Sequence, residues 1–189
     1  ETVDEYIEEI VPNFNLLSYY LMGYPIGRAL LHLLYSVVID QEALKTGKAN
    51  YVTTRGKIRF IIVDTSARSG GAEGVIFQHD VDSFLKPALD AARADGLWSV
   101  VVSHHVSGDL TDGAVPGGKK QIDTVSPEAW RHLLGSYDNL LLHLAAHTHV
   151  NKVRQMTSLA GQSYWEVQSA ALADFPHQMR LIEIDAHER

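Results

Sequence analysis

Cysteine is absent from this chain of 189 residues. Disulfides, cysteine-ligated zinc, iron–sulfur clusters and thiol catalysis are therefore excluded, although no compartment follows from that. Positive charge is also in deficit, with 16 Lys and Arg against 23 Asp and Glu and a net charge of −7. Such a balance disfavours broad binding to nucleic acid or to an anionic membrane, and no nucleic-acid-binding signature is present. A composition of 46% hydrophobic and 21% charged residues removes the disordered, collagen-like and low-complexity classes. There is no internal repeat and no clear interdomain linker. The nucleophile elbow GxSxG is missing. Gly113 to Lys119 fits GxxxxGK, but Lys120 occupies the Ser/Thr position that would hold magnesium, so the stretch reads as a glycine loop. Glu1 opens the chain without a basic n-region or a small-residue cleavage site, so no signal peptide is expected there. Long apolar runs are few. The one membrane suspect, Leu16 to Ile39, is interrupted by Gly23, Pro25, Gly27, Arg28 and His32. It reads as two helices broken at Gly23-Tyr24-Pro25, and no membrane span is expected.

What is present is a regular alternation of elements. Residues 57–64 (KIRFIIVD), 98–103 (WSVVVS) and 139–146 read as buried strands, nearly continuous in apolar character. Residues 77–95 have helical spacing and stop at Gly96. Ser126-Pro127-Glu128 opens a second helix, with serine as the cap, proline at the first turn and an acid near the positive end. Residues 151–156, 164–168 and 179–185 alternate like half-exposed strands. The order predicts an α/β core whose sheet is extended by hairpins at its C-terminal end. Residues 1–49 read as a helical segment, a cap or packing element, ahead of a core spanning 50–189.

Histidine carries the chemistry. Two strands end in histidine groups: VVVSHH at 100–105 and LAAHTHV at 144–150. In open α/β sheets, ligands bind at the carboxyl ends of strands, where loops converge. His147 and His149 are two apart and point the same way in extended backbone. His104 would approach from the neighbouring strand. Imidazole suits zinc, manganese and iron. His143 precedes His147 by four, but Leu144 follows it where an HExxH motif needs Glu, so His143 reads as strand packing. His79, His132, His177 and His187 read as surface or loop residues.

In these motifs the chain resembles the calcineurin-like metallophosphoesterases. That family carries an apolar strand ending in His-x-Pro, then Gly-His-x-His, and VVVSHHV and AAHTHV follow in that order. The segments RGKIRFIIVDTS and YWEVQSAALADFPHQMRLIEI are similar to the family's flanking strands. The resemblance covers roughly residues 50 to 185. It implies a sandwich of β-sheets flanked by helices and a hydrolase of phosphoric esters, phosphodiesterase or phosphomonoesterase, with two divalent ions (Mn, Fe or Zn). His104 and His147 would bind the second metal and His149 the first, and His105 would face the phosphate ester as proton donor or contact. Ala146 stands at the family's glycine and Val106 at its proline. The early motifs Asp-x-His, Gly-Asp and Gly-Asn-His, which supply a bridging aspartate, an asparagine ligand and a catalytic histidine, are not found before residue 50. The expectation is thus the C-terminal half of a metallophosphoesterase, or a degenerate member.

Two other readings stay open. One is a non-catalytic domain of the same fold that binds a metal, a phosphate or a partner. The other is a mononuclear zinc hydrolase using His104, His147 and His149. Gly108-Asp109-Leu110-Thr111-Asp112 looks like the family's second motif but comes too late in the chain. It reads as a loop coincidence, with Asp109 or Asp112 as the rival carboxylate. A half-sandwich would expose an apolar face, which either the helices at 13–40 or a second copy of the chain in a homodimer is expected to cover, and a missing N-terminal half is the other expected partner.

Overall fold

A computed structural model describes residues 50–67, 72–114, 120–158, 161–173, 175 and 177–185. The expected helical segment 1–49, including Leu16 to Ile39, lies outside these residues. So does most of the glycine loop before Lys120. No helix among the described residues is long and apolar enough to cross a membrane.

Six strands form one mixed sheet: β1 (Tyr51–Arg55), β2 (Ile58–Ile62), β3 (Trp98–Val102), β4 (Leu140–Ala145), β5 (Lys152–Thr157) and β6 (Ser163–Gln168). Their spatial order is β1-β2-β3-β4-β6-β5. β2, β3, β4 and β6 run parallel, and β5 lies antiparallel on the outer edge of β6. The expected C-terminal hairpin is therefore present, with its second strand placed inside its first. The parallel strands are β-branched and apolar on both faces, one buried under the helices and the other partly buried. Their carboxyl ends share one edge, so the segments following β2, β3 and β4 converge there.

The helices follow the sequence signals closely. A short turn α1 (Gln78–Asp80) continues through a π-helical stretch, Val81–Leu85, into α2 (Lys86–Ala94). Leu85, Leu89 and Ala92 are fully buried, and Gly96 closes the helix at φ +67°. Helix α3 (Pro127–Leu134) is capped by Ser126, whose Oγ accepts from the Ala129 N–H at 3.2 Å. Its Trp130 and Leu134 are fully buried.

Strand alternation divides the core in two. Ile61, Val101 and Tyr164 pack with Leu85, Leu89, Trp130 and Leu134. Val100, Leu142 and Val167 face the other way, with Ile58, Phe60, Val102, Leu144 and Ile184 against them.

Two expectations differ from the structure. Residues 179–185 alternate in sequence but form no strand, and Met179 and Leu181 are 78% and 90% exposed. Instead of pairing at a sheet edge, this segment places Ile184 on the face of Val100, Leu142 and Val167. Conversely, β1 was not expected. Gly56 at φ +57° makes the tight turn into β2, and Val52, Thr53 and Thr54 supply the β-branched residues.

Candidate metal centre

The site is built on backbone bonds that prolong the sheet past its strands. The Ser103 N–H donates to the Leu144 carbonyl at 3.0 Å, and the Ala146 N–H donates to the His104 carbonyl at 2.9 Å. The turn after β3 is thereby tied to the turn after β4. His104 Nε2 and His147 Nδ1 come to 3.2 Å from each other. Two nitrogens on one tetrahedral zinc, each about 2.05 Å from the ion, lie about 3.3 Å apart. The pair is therefore spaced as two ligands of a single ion.

His147 and His149 both adopt left-handed backbone, φ +70° and +56°. For non-glycine residues such conformations cost on the order of 1 kcal/mol each and persist where surrounding contacts impose them. Gln168, 3% exposed, imposes this one: its Nε2 donates to the Ala146 carbonyl at 2.7 Å and to Thr148 Oγ1 at 2.5 Å. The tight turn expected of a glycine at position 146 is thus made by His147 itself. The extended backbone on which a shared direction of His147 and His149 was expected is absent here. His104, His105 and His147 each offer a nitrogen within 4.8 Å of the others, and His149 stands outside that group.

His104 and His105 are neighbours with different surroundings. His104 is exposed, whereas His105 is 3% exposed. His105 Nδ1 lies 2.8 Å from Thr65 Oγ1, and its Nε2 lies 3.0 Å from the Ala72 carbonyl. A carbonyl only accepts, so Nε2 carries the proton and Nδ1 accepts from the Thr65 hydroxyl. Thr65 Oγ1 in turn accepts from the His105 N–H at 3.3 Å. Gly74 backs this ring, and a Cβ there would come within 2.6 Å of His105 Cγ. Both ring nitrogens of His105 are therefore engaged inside the protein.

Partial desolvation of its ring lowers the affinity of the otherwise exposed His104 for a proton, the neighbouring His147 and His149 lower it further, and Asp64 opposes them. Burial likewise lowers that of His105, against the Ala72 carbonyl and Asp109. A neutral imidazole keeps the lone pair that a metal requires. The donor set thus fits one divalent ion on His104 and His147.

The acids near this edge are Asp64 and Asp109. Asp64 follows β2 and accepts from the Ser66 N–H at 2.9 Å. Asp109 closes the short turn Ser107–Asp109, and its Oδ2 is buried with no hydrogen-bond partner. Asp112 accepts from the Ala114 N–H and faces Lys120 at 3.6 Å. None of the three shares the histidine group. Sequence reasoning missed Asp64, Thr65 and Gln168. The rule that drew attention to His104, position at the carboxyl end of a parallel strand, also marks Asp64 and Thr65.

No family model and no curated protein matches the chain. Among solved structures, it is similar to a dimetal phosphatase from Danio rerio at 13% identity and a TM-score of 0.48, covering 68% of this chain and 51% of that one. The chain thus spans about half the length of that protein. It is also similar to a purple acid phosphatase from yellow lupin (Lupinus luteus) seeds, at 16% identity, TM-score 0.39, covering 64% and 22% of the two chains. A third is the Thermus thermophilus sulfate thiohydrolase SoxB in complex with glycerol, at 22% identity, TM-score 0.34, covering 65% and 20%.

Proposed function

We propose that this chain is the C-terminal, histidine-bearing part of a calcineurin-like metallophosphoesterase and takes part in hydrolysis of phosphate mono- or diesters. The observation that carries the reading is the 3.2 Å approach of His104 Nε2 and His147 Nδ1 at the ends of adjacent parallel strands. The order of the motifs VVVSHHV and AAHTHV supports it. Bound divalent ions would supply an activated hydroxide and neutralise charge on the phosphoryl oxygens.

In this reading His104 and His147 hold one ion. His149, exposed beside them, reaches a second ion or the substrate. His105 acts from behind: with its two nitrogens committed to Thr65 and Ala72, it braces the His104 turn rather than donating a proton. Three imidazoles lack the bridging carboxylate of a dinuclear centre. The remaining ligands come from outside the histidine group, from elsewhere in this chain, a missing N-terminal half or a second copy. A mononuclear metal- or phosphate-binding module is the second reading, favoured by the absence of Asp64, Asp109 and Asp112 from the histidine group.

Elemental analysis of the purified chain and of His147→Ala tests both, followed by hydrolysis of phosphate mono- and diesters. Two ions per chain, lost in the variant, with ester hydrolysis, supports the dinuclear enzyme. One ion without hydrolysis supports the binding module. No ion, with the fold intact, contradicts both. Light scattering at increasing concentration checks for the homodimer.

A further inference from the structure

Behind the strand ends lies a second polar cluster that takes no part in metal binding as described above. One row of residues crosses the sheet on its helix-covered face: Ile61, Val101, His143, Glu166 and Arg154 are register partners in succession. The next row, Ile62, Val102, Leu144, Val167 and Val153, is entirely apolar. Strand pairing itself does not require the polar row, and ion pairs buried in place of apolar residues are often neutral or unfavourable for stability.

The polar row is fully connected. His143 is 0% and Glu166 1% exposed. Glu166 Oε2 accepts from the Ser107 N–H at 2.8 Å and from His143 Nδ1 at 3.2 Å, and Oε1 accepts from Arg154 Nη1 at 3.0 Å. Arg131 Nε from α3 donates to Ser107 Oγ at 2.9 Å, and the Trp130 ring stands edge-on to His143 at 5.7 Å. On its other side, His143 Nε2 lies 2.8 Å from Ser103 Oγ, which also lies 2.8 Å from the His105 carbonyl. Burial alone would raise the pKa of Glu166, but the hydrogen bonds from His143 and Ser107 hold it down to about 2.

The Ser103 hydroxyl, donating to the His105 carbonyl, orders the chain of bonds. Ser103 Oγ has a single hydrogen, and the His105 carbonyl can only accept. With that hydrogen on the carbonyl, the arrangement that makes every bond has Nε2 donating to Oγ and Nδ1 donating to the carboxylate. We propose that His143 and Glu166 form a buried imidazolium–carboxylate pair that holds the Ser103 hydroxyl on the His105 carbonyl and so fixes the turn presenting His104. They are positioning residues for the centre, acting through Ser103, and their importance rests on the reading of His104 as a ligand.

The experiment uses the metal-free full chain, with nitrogen-15 and carbon-13 labelling. Histidine-ring spectra are expected to show both nitrogens of His143 protonated. Glu166→Gln keeps the shape of the side chain but removes its charge. His143 then loses one ring proton, the Ser103 hydroxyl turns to Nε2, and the carbonyl-carbon shift of His105 moves as in Ser103→Ala. In both variants zinc affinity by calorimetry falls roughly tenfold, the scale of support lost around a metal ligand, whereas Ser103→Thr, which keeps the hydroxyl, retains it. A singly protonated His143 in the unaltered chain overturns the proposal. So does a His105 carbonyl shift that stays put in folded Glu166→Gln. If the unaltered chain binds no zinc, the metal reading fails on its own, and the ring and carbonyl shifts still decide whether the relay exists.

Discussion

His143 and His147 sit four residues apart on the same strand and its turn, yet their surroundings are opposites. His143 is fully enclosed, and both its nitrogens face partners inside the sheet. His147 is half-buried, left-handed in backbone, and faces another imidazole at 3.2 Å. The difference follows from where each falls relative to the end of β4 at Ala145. Inside the strand, alternation sends the side chain under α3. Beyond it the ladder ends, the chain turns, and the ring is delivered to the edge where other strands also end. One histidine belongs to the scaffold and the other to the chemistry.

If that division is right, substitutions should separate stability from metal binding. The largest loss of stability is expected from Glu166→Ala, which strands His143 and Arg154 without their carboxylate. Denaturant unfolding should show a loss of about 3–5 kcal/mol, the cost of leaving buried charge unpaired. Acid should weaken the same link. The carboxyl of Glu166 is held down to about 2, below its usual value, so its stabilising contribution is complete above the ordinary carboxylate range and is lost as pH falls toward 2. Urea midpoints measured between pH 6 and pH 2 should fall for the unaltered chain, and should fall less in folded Glu166→Gln. A smaller effect, about 1–3 kcal/mol, is expected for Gly74→Ala, because the new Cβ meets the His105 ring at 2.6 Å. Thermal unfolding measures it, and zinc affinity should fall with it because the His104 turn moves. The smallest effect on stability belongs to His147→Ala, under about 1 kcal/mol. Equal destabilisation by His147→Ala and Glu166→Ala would erase the distinction between scaffold and site.

Much of the framework is legible in the sequence. IRFII, WSVVV and LLLHLA carry the parallel strands, and Ser126-Pro127 and Gly96 mark helix ends, because propensity and capping act locally. The histidines at the ends of β3 and β4 were also legible from position. What the sequence leaves open is decided at long range. The left-handed turn at His147 depends on Gln168, which is 21 positions away and bonds the loop from β6. The partners of His105 come from Thr65 and Ala72 across the sheet. Glu166 looks like an outward-facing acid in an alternating strand until its register with His143 is known. The premise for a shared direction of His147 and His149 is lost because period 2 holds only while the backbone stays extended.

The decisive measurement is the thermal midpoint of the chain with and without added zinc or manganese, run beside His147→Ala. An ion that binds the folded state alone stabilises it by about 2.7 kcal/mol at a hundredfold excess over its dissociation constant. The unaltered chain should therefore melt several degrees higher with metal, and His147→Ala should melt at the same temperature with or without it. A midpoint that ignores the metal in the unaltered chain, or rises equally in the variant, would mean that His104 and His147 do not form the metal site.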